Sequence, residues 1–374
     1  MRVVVAPTRF EGSLGAGRAA AAIETGLRRA RPDAEVVRVP VADGGPGTLE
    51  VLLAAGFERV PVVAAGPTGE PVAAAIAADG ARAFVELAEA SGLGRLPGGR
   101  PAPLRATTRG TGELLRAALD LGAHQVVVGT GGGAAVDGGV GMAAALGARL
   151  LDRDGAELPP GGAALLRLAG VDLAGLDRRL HAARVTVACD VDAPLVGPQG
   201  AAQADGRRAG AGPDDVLLLD SALRRYARVL ADDLGLDLAG TPGAGAGGGL
   251  GAGAVAFLGA ELRPGVEPVL ELVGFERALD GADLVVTGEG RLDARSLGAG
   301  APLGVARAAA GHGVPVVALA GAVEVADREL RAAGFEEGHA LGELEPDPGR
   351  VRAQAGPLLE RLAERVGRAW ASLP

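Results

Sequence analysis

The stretch Val126-Val-Val-Gly-Thr-Gly-Gly-Gly-Ala-Ala-Val-Asp-Gly-Gly-Val-Gly-Met142 reads as a short strand, a glycine turn and the start of a helix. Three β-branched valines running into Gly129 suit a buried strand. Gly131, Gly132 and Gly133 carry no side chains, so their N–H groups can approach an anion, and a following helix adds its positive dipole end. Asp137 stands just before a glycine pair and can point into the same space. Spacing alone leaves a plain strand-to-helix turn as an equal reading. Gly129-x-Gly131-x-x-Ala134 also fits a relaxed dinucleotide fingerprint, although the acid expected about 20 residues on is met only by Asp152 in an Asp-x-Asp-Gly turn.

A chain of 374 residues predicts two domains. Apolar residues make up 48% and aromatics only 2%, so the cores must be built from Ala, Val and Leu. With 63 glycines, 24 prolines, no lysine and no asparagine, the composition has drifted as a whole, and a single Gly or Ala carries less meaning than usual. A net charge of −9 with no basic stripe argues against a nucleic-acid partner. The N-terminus runs straight into a strand, so no signal peptide is expected. Leu238–Ala260 is too weakly apolar for a membrane span, and no membrane partner is expected. Cys189 is the only cysteine, which excludes an internal disulfide and fits the cytoplasm. One cysteine and four scattered histidines also argue against zinc.

Either side of the opening stretch the chain alternates strands and helices. Arg2–Ala6 and Glu35–Pro40 flank a helix over Ala16–Ala30, and a second helix begins at Leu49, which makes a βαβ unit. The Ser13 and Asp43 loops would then lie at strand carboxyl ends, where open α/β sheets bind ligands. Shorter strands follow over Pro61–Ala65, Pro71–Ala78 and Arg82–Glu86, then a helix over Thr107–Leu121. Val185–Cys189 is another strand. Gln199–Pro213 is polar and glycine-rich and is expected to be mobile. Helices are expected over Val216–Leu234 and Val266–Leu279. The run Gly243–Gly253 reads as a low-complexity linker first and as a phosphate loop second. The βα rhythm returns with Asp283–Val286, Pro302–Ala310 and Val314–Leu319. A last helix, Pro357–Trp370, carries the i,i+4 pair Glu364–Arg368. The predicted fold is therefore α/β with two domains. Residues 1–66 and 282–374 form an outer parallel-sheet domain, and residues 67–281 an inserted one.

Acidic residues beside glycines or at strand ends are the candidates for chemistry: Asp43, Asp137, Asp190 with Asp192, and Glu289 with Asp293. Such groups suit magnesium carried on phosphates, and one more carboxylate can take a proton from an attacking hydroxyl. Each aspartate can equally be a turn former or cap. Arg291 reads either as a surface ion pair or as a fork for a carboxylate or phosphate. No Walker loop is possible without lysine, and no Gly-x-Ser-x-Gly elbow is present.

The ordered loops resemble the bacterial type I glycerate kinase family. The likeness rests on Val5-Ala-Pro, Phe10-x-Gly-Ser-Leu14, Ala42-Asp-Gly-Gly-x-Gly-Thr48, Ala90-Ser-Gly-Leu93, Gly110-Thr-Gly-Glu-Leu114 and Asp137-Gly-Gly-Val-Gly-Met142. It continues through Ala188-Cys-Asp-Val191, Gly248-Gly-Leu-Gly251, Ala256-Phe-Leu-Gly-Ala260, Thr287-Gly-Glu-Gly-Arg291 and Ala301-Pro-Leu-Gly-Val305. The resemblance implies a flavodoxin-like domain with a second domain inserted, and transfer of the γ-phosphoryl of Mg-ATP to D-glycerate, giving 2-phosphoglycerate. It implies ATP and Mg²⁺ as cofactors, a small hydroxy acid as substrate, and leaves a homodimer open. Asp190, Asp43 and Arg291 would be catalytic, with Arg291 on the glycerate carboxylate. Ser13, Gly44, Gly45, Glu289 and Asp293 would surround the substrate. Gly131, Gly132, Gly133, Asp137, Gly248 and Gly249 would hold the nucleotide, and Asp190 with Asp137 the metal. The chain departs from the family at Glu11 and Gly300, where the family has lysine, at Pro46, where it has glutamate, and at Gly133, Ala135 and Val136, where it is polar. Arg9, Arg109 and Arg295 are candidates for replacing the lost charge. An impaired paralogue that binds a metabolite or a partner is the alternative.

Overall fold

The computed structural model describes residues 1–189 and 191–370. Its strands are, in chain order, β1 (Arg2–Pro7), β2 (Glu35–Arg38), β3 (Glu58–Ala65), β4 (Pro71–Ala78), β5 (Arg82–Glu86), β6 (Gln125–Gly129), β7 (Arg149–Leu151), β8 (Gly170–Asp172), β9 (Arg184–Cys189), β10 (Glu261–Pro264), β11 (Leu284–Leu292), β12 (Val316–Val323) and β13 (Glu337–Ala340). The chain divides into two compact units. One comprises Met1–Asp43, Glu50–Ala55 and Val269–Pro374, the other Gly44–Leu49 and Gly56–Pro268.

The first unit holds a five-stranded sheet in the order β13-β12-β11-β1-β2, parallel throughout. Counted within the unit this is the 2-1-3-4-5 order of flavodoxin-like folds. Apolar runs such as Val3-Val-Val5 and Leu284-Val-Val286 are buried, as strands covered on both faces require. The core joins these valines to Ile23 and Leu27 of the helix Ala16–Ala30 and to Leu358, Leu359 and Leu362 of the helix Ala355–Trp370. With few aromatics to fill space, the helices close up instead. A Cβ at Gly26 would lie 2.1 Å from the Glu360 carbonyl oxygen, so only glycine permits this approach. Glu364 and Arg368 form the expected ion pair on the outer face.

The second unit is built on a six-stranded sheet, β10-β9-β6-β5-β4-β3. β5, β6, β9 and β10 are parallel, while β3–β4–β5 is antiparallel. The Gly66–Glu70 and Asp79–Arg82 connections are too short for a crossover, which forces hairpins. β3 is thus the edge of this second sheet, although the expected boundary at residue 66 gave it to the outer domain. The sequence around residue 66 shows a turn, and a hairpin turn reads the same as a domain linker.

Three other expectations change. Gln199–Pro213 is packed, with Ala201, Ala202 and Asp205 buried and a short turn of helix over Ala202–Gly206. Val266–Leu279 is two helices, Val266–Leu272 and Phe275–Leu279, because Gly274 takes a left-handed φ of +69° between them. Gly243–Gly253 is no linker: Ala244, Ala246, Leu250 and Ala252 are wholly buried.

Tyr226, on the helix Pro213–Leu234, is also wholly buried, and its hydroxyl has no hydrogen-bond partner among the described residues. Burial, reinforced by the Asp137 charge, pushes its ionisation far up, so the group stays a neutral, unsatisfied phenol. Tyr226→Phe removes an orphan polar atom and keeps the ring. It should stabilise the protein by about 1 kcal/mol, read as a rise of roughly 2–4 °C in melting temperature. A fall would show that the hydroxyl has a partner.

Candidate active site

In the first sheet the chain steps from β1 to β2 on one side and through β11, β12 and β13 on the other, so the winding reverses between β1 and β11. Ligands of open α/β sheets bind outside the strand carboxyl ends at such a reversal. The junction is tightly built. Thr8 N donates to the Gly288 carbonyl at 2.8 Å, and the Thr287 hydroxyl donates to the Ala6 carbonyl at 2.7 Å. Val41 N donates to the Pro7 carbonyl at 3.0 Å, which carries the chain beyond β2 along β1 towards Asp43.

Ser13 lies in the loop after β1. Its hydroxyl donates to the Phe10 carbonyl at 3.0 Å, closing a turn over the buried Phe10 ring. Arg9–Gly15 line an open depression of about 270 Å³. On the β11 side, Glu289 is the unusual group. Its Oε1 is buried without a hydrogen-bond partner among the described residues. Burial pushes its carboxyl up to about 7, the Asp293 and Asp43 charges push the same way, and the Ser296 hydroxyl partly offsets them. Asp293 Oδ1 instead accepts from Ser296 N at 3.1 Å and Arg295 N at 2.9 Å. The Ser296 N–H first, with Arg295 assisting, holds it below the usual carboxylate range.

The raised Glu289 carboxyl is a stability statement. The folded chain binds this proton more tightly than the unfolded chain, so stability falls as pH rises from about 4.5 to about 7 and the full penalty stands above that. A shift of this size corresponds to roughly 3 kcal/mol. Glu289→Gln should therefore melt higher than the parent protein near pH 8 and equally near pH 4, by calorimetry; an equal melting temperature near pH 8 would exclude the buried charge.

The arginines take quieter places. Arg291 pairs with Glu324 at 2.8 Å on the surface, with about half of each side chain exposed, so the ion-pair reading describes it in this structure. Arg295 is 93% exposed and reaches Asp293 at 3.6 Å. Arg109, in the second unit, pairs with Glu113 at 3.3 Å along its own helix.

In the second unit the structure brings together Gly131–Gly133, Asp137 and Gly248–Gly249. Gly132 and Ala134 pair with residues 91–93 through Leu93 N to the Gly132 carbonyl at 3.0 Å and Ala134 N to the Ser91 carbonyl at 2.9 Å. The next helix begins only at Val140. The dinucleotide fingerprint therefore fails, because its glycine run should lead straight into a helix. Asp137 is wholly buried. Its Oδ2 accepts from Thr108 N at 2.8 Å and Gly141 N at 3.2 Å, and its Oδ1 accepts from the Thr108 hydroxyl at 3.0 Å and Gly139 N at 3.1 Å. Burial raises its ionisation, and the Thr108 and Gly139 donors oppose this. The Thr108 hydroxyl in turn accepts from Met142 N at 3.0 Å.

Two further buried carboxylates do the same work and were not singled out from the sequence. Glu86 accepts from Gly47 N at 3.3 Å and Leu49 N at 3.1 Å, fixing the turn that carries Gly44 and Gly45. Asp205 accepts from Gly248 N at 2.6 Å and pairs with Arg208. An acid ending the apolar strand Ala83-Phe-Val85 was a readable signal for Glu86; Asp205, in a polar stretch, gave none. Asp137 and Asp205 occupy N–H-rich turns where phosphate was expected. Gly248 N in particular is committed to Asp205, and Gly138 N donates to the Gly248 carbonyl at 3.1 Å.

Asp137 does not fit the metal role assigned to it, since inward-pointing N–H and O–H donors surround both of its oxygens. Among the described residues no group of three or more His, Cys, Asp or Glu side chains is placed to hold a metal ion. Asp190 lies outside the described residues. No helix among them is long and apolar enough to cross a membrane.

This geometry has close relatives. The profile of the glycerate kinase family matches residues 3–371. The chain is 47% identical over 326 residues to the glycerate kinase of Bacillus subtilis, covering 86% of this chain and 85% of that one. It is 46% identical over 327 residues to glycerate 2-kinase of Escherichia coli, covering 86% of each. The crystal structure of a protein of Salmonella typhimurium LT2 assigned as glycerate kinase 2 matches with a TM-score of 0.87 at 41% identity, over 100% of this chain and 98% of that one. A match of this extent in both sequence and fold leaves one assignment: the chain belongs to the glycerate kinase family.

Proposed function

We propose that the protein transfers the γ-phosphoryl group of ATP to D-glycerate, giving 2-phosphoglycerate. The observation that supports this most is the 47% identity to the Bacillus subtilis glycerate kinase over 326 residues. The acid-lined strand ends of the first unit suit the hydroxy-acid half of the reaction. A carboxylate at a strand end can orient the reacting hydroxyl and take its proton. In this reading Asp43, Glu289 and Asp293 surround the substrate, with Ser13 on the neighbouring loop. Arg291 reaches the glycerate carboxylate by leaving Glu324, an exchange that a surface pair permits at little cost. Gly131–Gly133 face the nucleotide. Asp190 would be the acid to meet magnesium carried on the ATP phosphates, which would neutralise their charge. The reaction belongs in the cytoplasm, where ATP is supplied.

The test is ADP release from Mg-ATP with and without D-glycerate, beside Asp190→Ala. Glycerate-dependent release that the substitution abolishes is expected. Folded protein with no such release would overturn the proposal and favour a binding protein built on a kinase scaffold.

A further inference from the structure

One partly buried acid in the first unit, Glu289, keeps a buried oxygen without a donor among the described residues. The loop after β1 passes Gly290 so closely that a Cβ there would sit 2.9 Å from Glu11 N, and this loop carries Arg9 and Glu11. The exit from β2 brings Asp43, the exit from β11 brings Asp293 and Ser296, and on β12 a Cβ at Gly321 would lie 2.4 Å from the Gly290 carbonyl oxygen. Asp293 Oδ1 is used by two N–H donors. Glu86, Asp137 and Asp205 of the second unit are likewise spent on N–H groups. Glu289 differs, because its Oε1 is buried and accepts nothing from the described residues. It also stands where β11 leaves the sheet beside β1, at the reversal of winding where this class of sheet binds ligands. A buried acceptor without a donor is costly, and a substrate hydroxyl at that point would relieve it.

We infer that Glu289 is a catalytic residue of the glycerate phosphorylation proposed above, the carboxylate that accepts the proton of the reacting hydroxyl, and the inference rests on that reading. In the step, the substrate O–H bond breaks and its proton passes to Glu289 Oε1. The freed oxygen pair forms the new bond to the γ-phosphorus, the bond from that phosphorus to the β,γ-bridging oxygen breaks, and its electron pair leaves on ADP. The proton later passes from Glu289 to solvent. Burial and the two acidic neighbours also hold this carboxyl near neutrality, where a base balances availability against strength. Asp293, held low by its N–H donors, is a weaker base.

The experiment is kcat against pH for the parent protein, Glu289→Gln and Ser296→Ala, reading ADP release with saturating Mg-ATP and D-glycerate. The parent kcat should rise through an apparent value of about 7. Glu289→Gln should lower kcat by roughly 10²–10⁴-fold, flatten that limb and leave KM for Mg-ATP within about threefold. Ser296→Ala should move the limb upward, since the lost hydroxyl favours the ionised form. A Glu289→Gln protein within about threefold of the parent kcat, or one that keeps the limb, overturns the inference while leaving the kinase reading intact. A parent protein with no glycerate-dependent release overturns both. If Glu289→Gln does not fold, the parent profile and the Ser296→Ala shift decide: a limb that is absent, or unmoved by the substitution, overturns it.

Discussion

Asp137→Ala should destabilise the second unit by roughly 4–6 kcal/mol. The substitution removes the acceptor for Thr108 N, Gly139 N and Gly141 N and for the Thr108 hydroxyl. Each buried N–H left alone costs about 1–3 kcal/mol, and no solvent reaches a wholly buried position to replace the acceptor. In a domain of this size that loss lowers the melting temperature by at least about 10 °C. Asp137→Asn should fall between, because one amide oxygen still accepts while the amide nitrogen faces donors. Thermal melts of both proteins check this. A phosphate- or metal-binding Asp137 would behave differently, leaving Asp137→Ala folded at the parent melting temperature but inactive. That outcome would overturn the anchoring role.

Gly248→Ala should be more damaging than any surface change. Gly248 has a φ of +69°, and a Cβ there would lie 1.9 Å from the Ala135 carbonyl oxygen and 2.9 Å from Val136 Cα. The contact is with backbone, so no side chain can swing aside. Backbone displacement would also strain the Gly248 N–H to Asp205 bond and the Gly138 N–H to Gly248 carbonyl bond. A loss of at least about 4 kcal/mol is expected, seen as poor soluble yield or a melting temperature well below the parent's. Gly17→Ala is the control. Gly17 lies within the helix Ala16–Ala30 and a Cβ there meets nothing within 4 Å, so alanine should stabilise by roughly 0.5–1 kcal/mol. If Gly248→Ala melts with the parent, Gly243–Gly253 is a loose linker after all.

These substitutions mark the limit of what could be read beforehand. Glycine in this chain is so common that Gly17 and Gly248 look alike in sequence; only the neighbours brought by folding separate a filler from a requirement. Asp137 was legible as important, since an acid beside glycines after a strand has few bland explanations, but its direction was not. Whether it faces a ligand or its own backbone depends on Thr108, which lies 29 positions away. Arg291 was left open between a clamp and a surface pair, and Glu324, supplied by the end of β12, decides its place.

By itself the sequence determined the alternating strands and helices, the apolar cores without aromatics and the loops at strand ends. These follow from local periodicity, from β-branched runs and from turn residues, all of which act over a few positions. Tertiary structure alone decided that β3 pairs into the second sheet, that Asp205 is an anchor, and that Glu289 keeps a buried oxygen with no donor among the described residues. Those facts depend on which distant N–H groups arrive beside each carboxylate. A buried acid is satisfied or orphaned by its neighbours in space, and its own residue type carries no record of them.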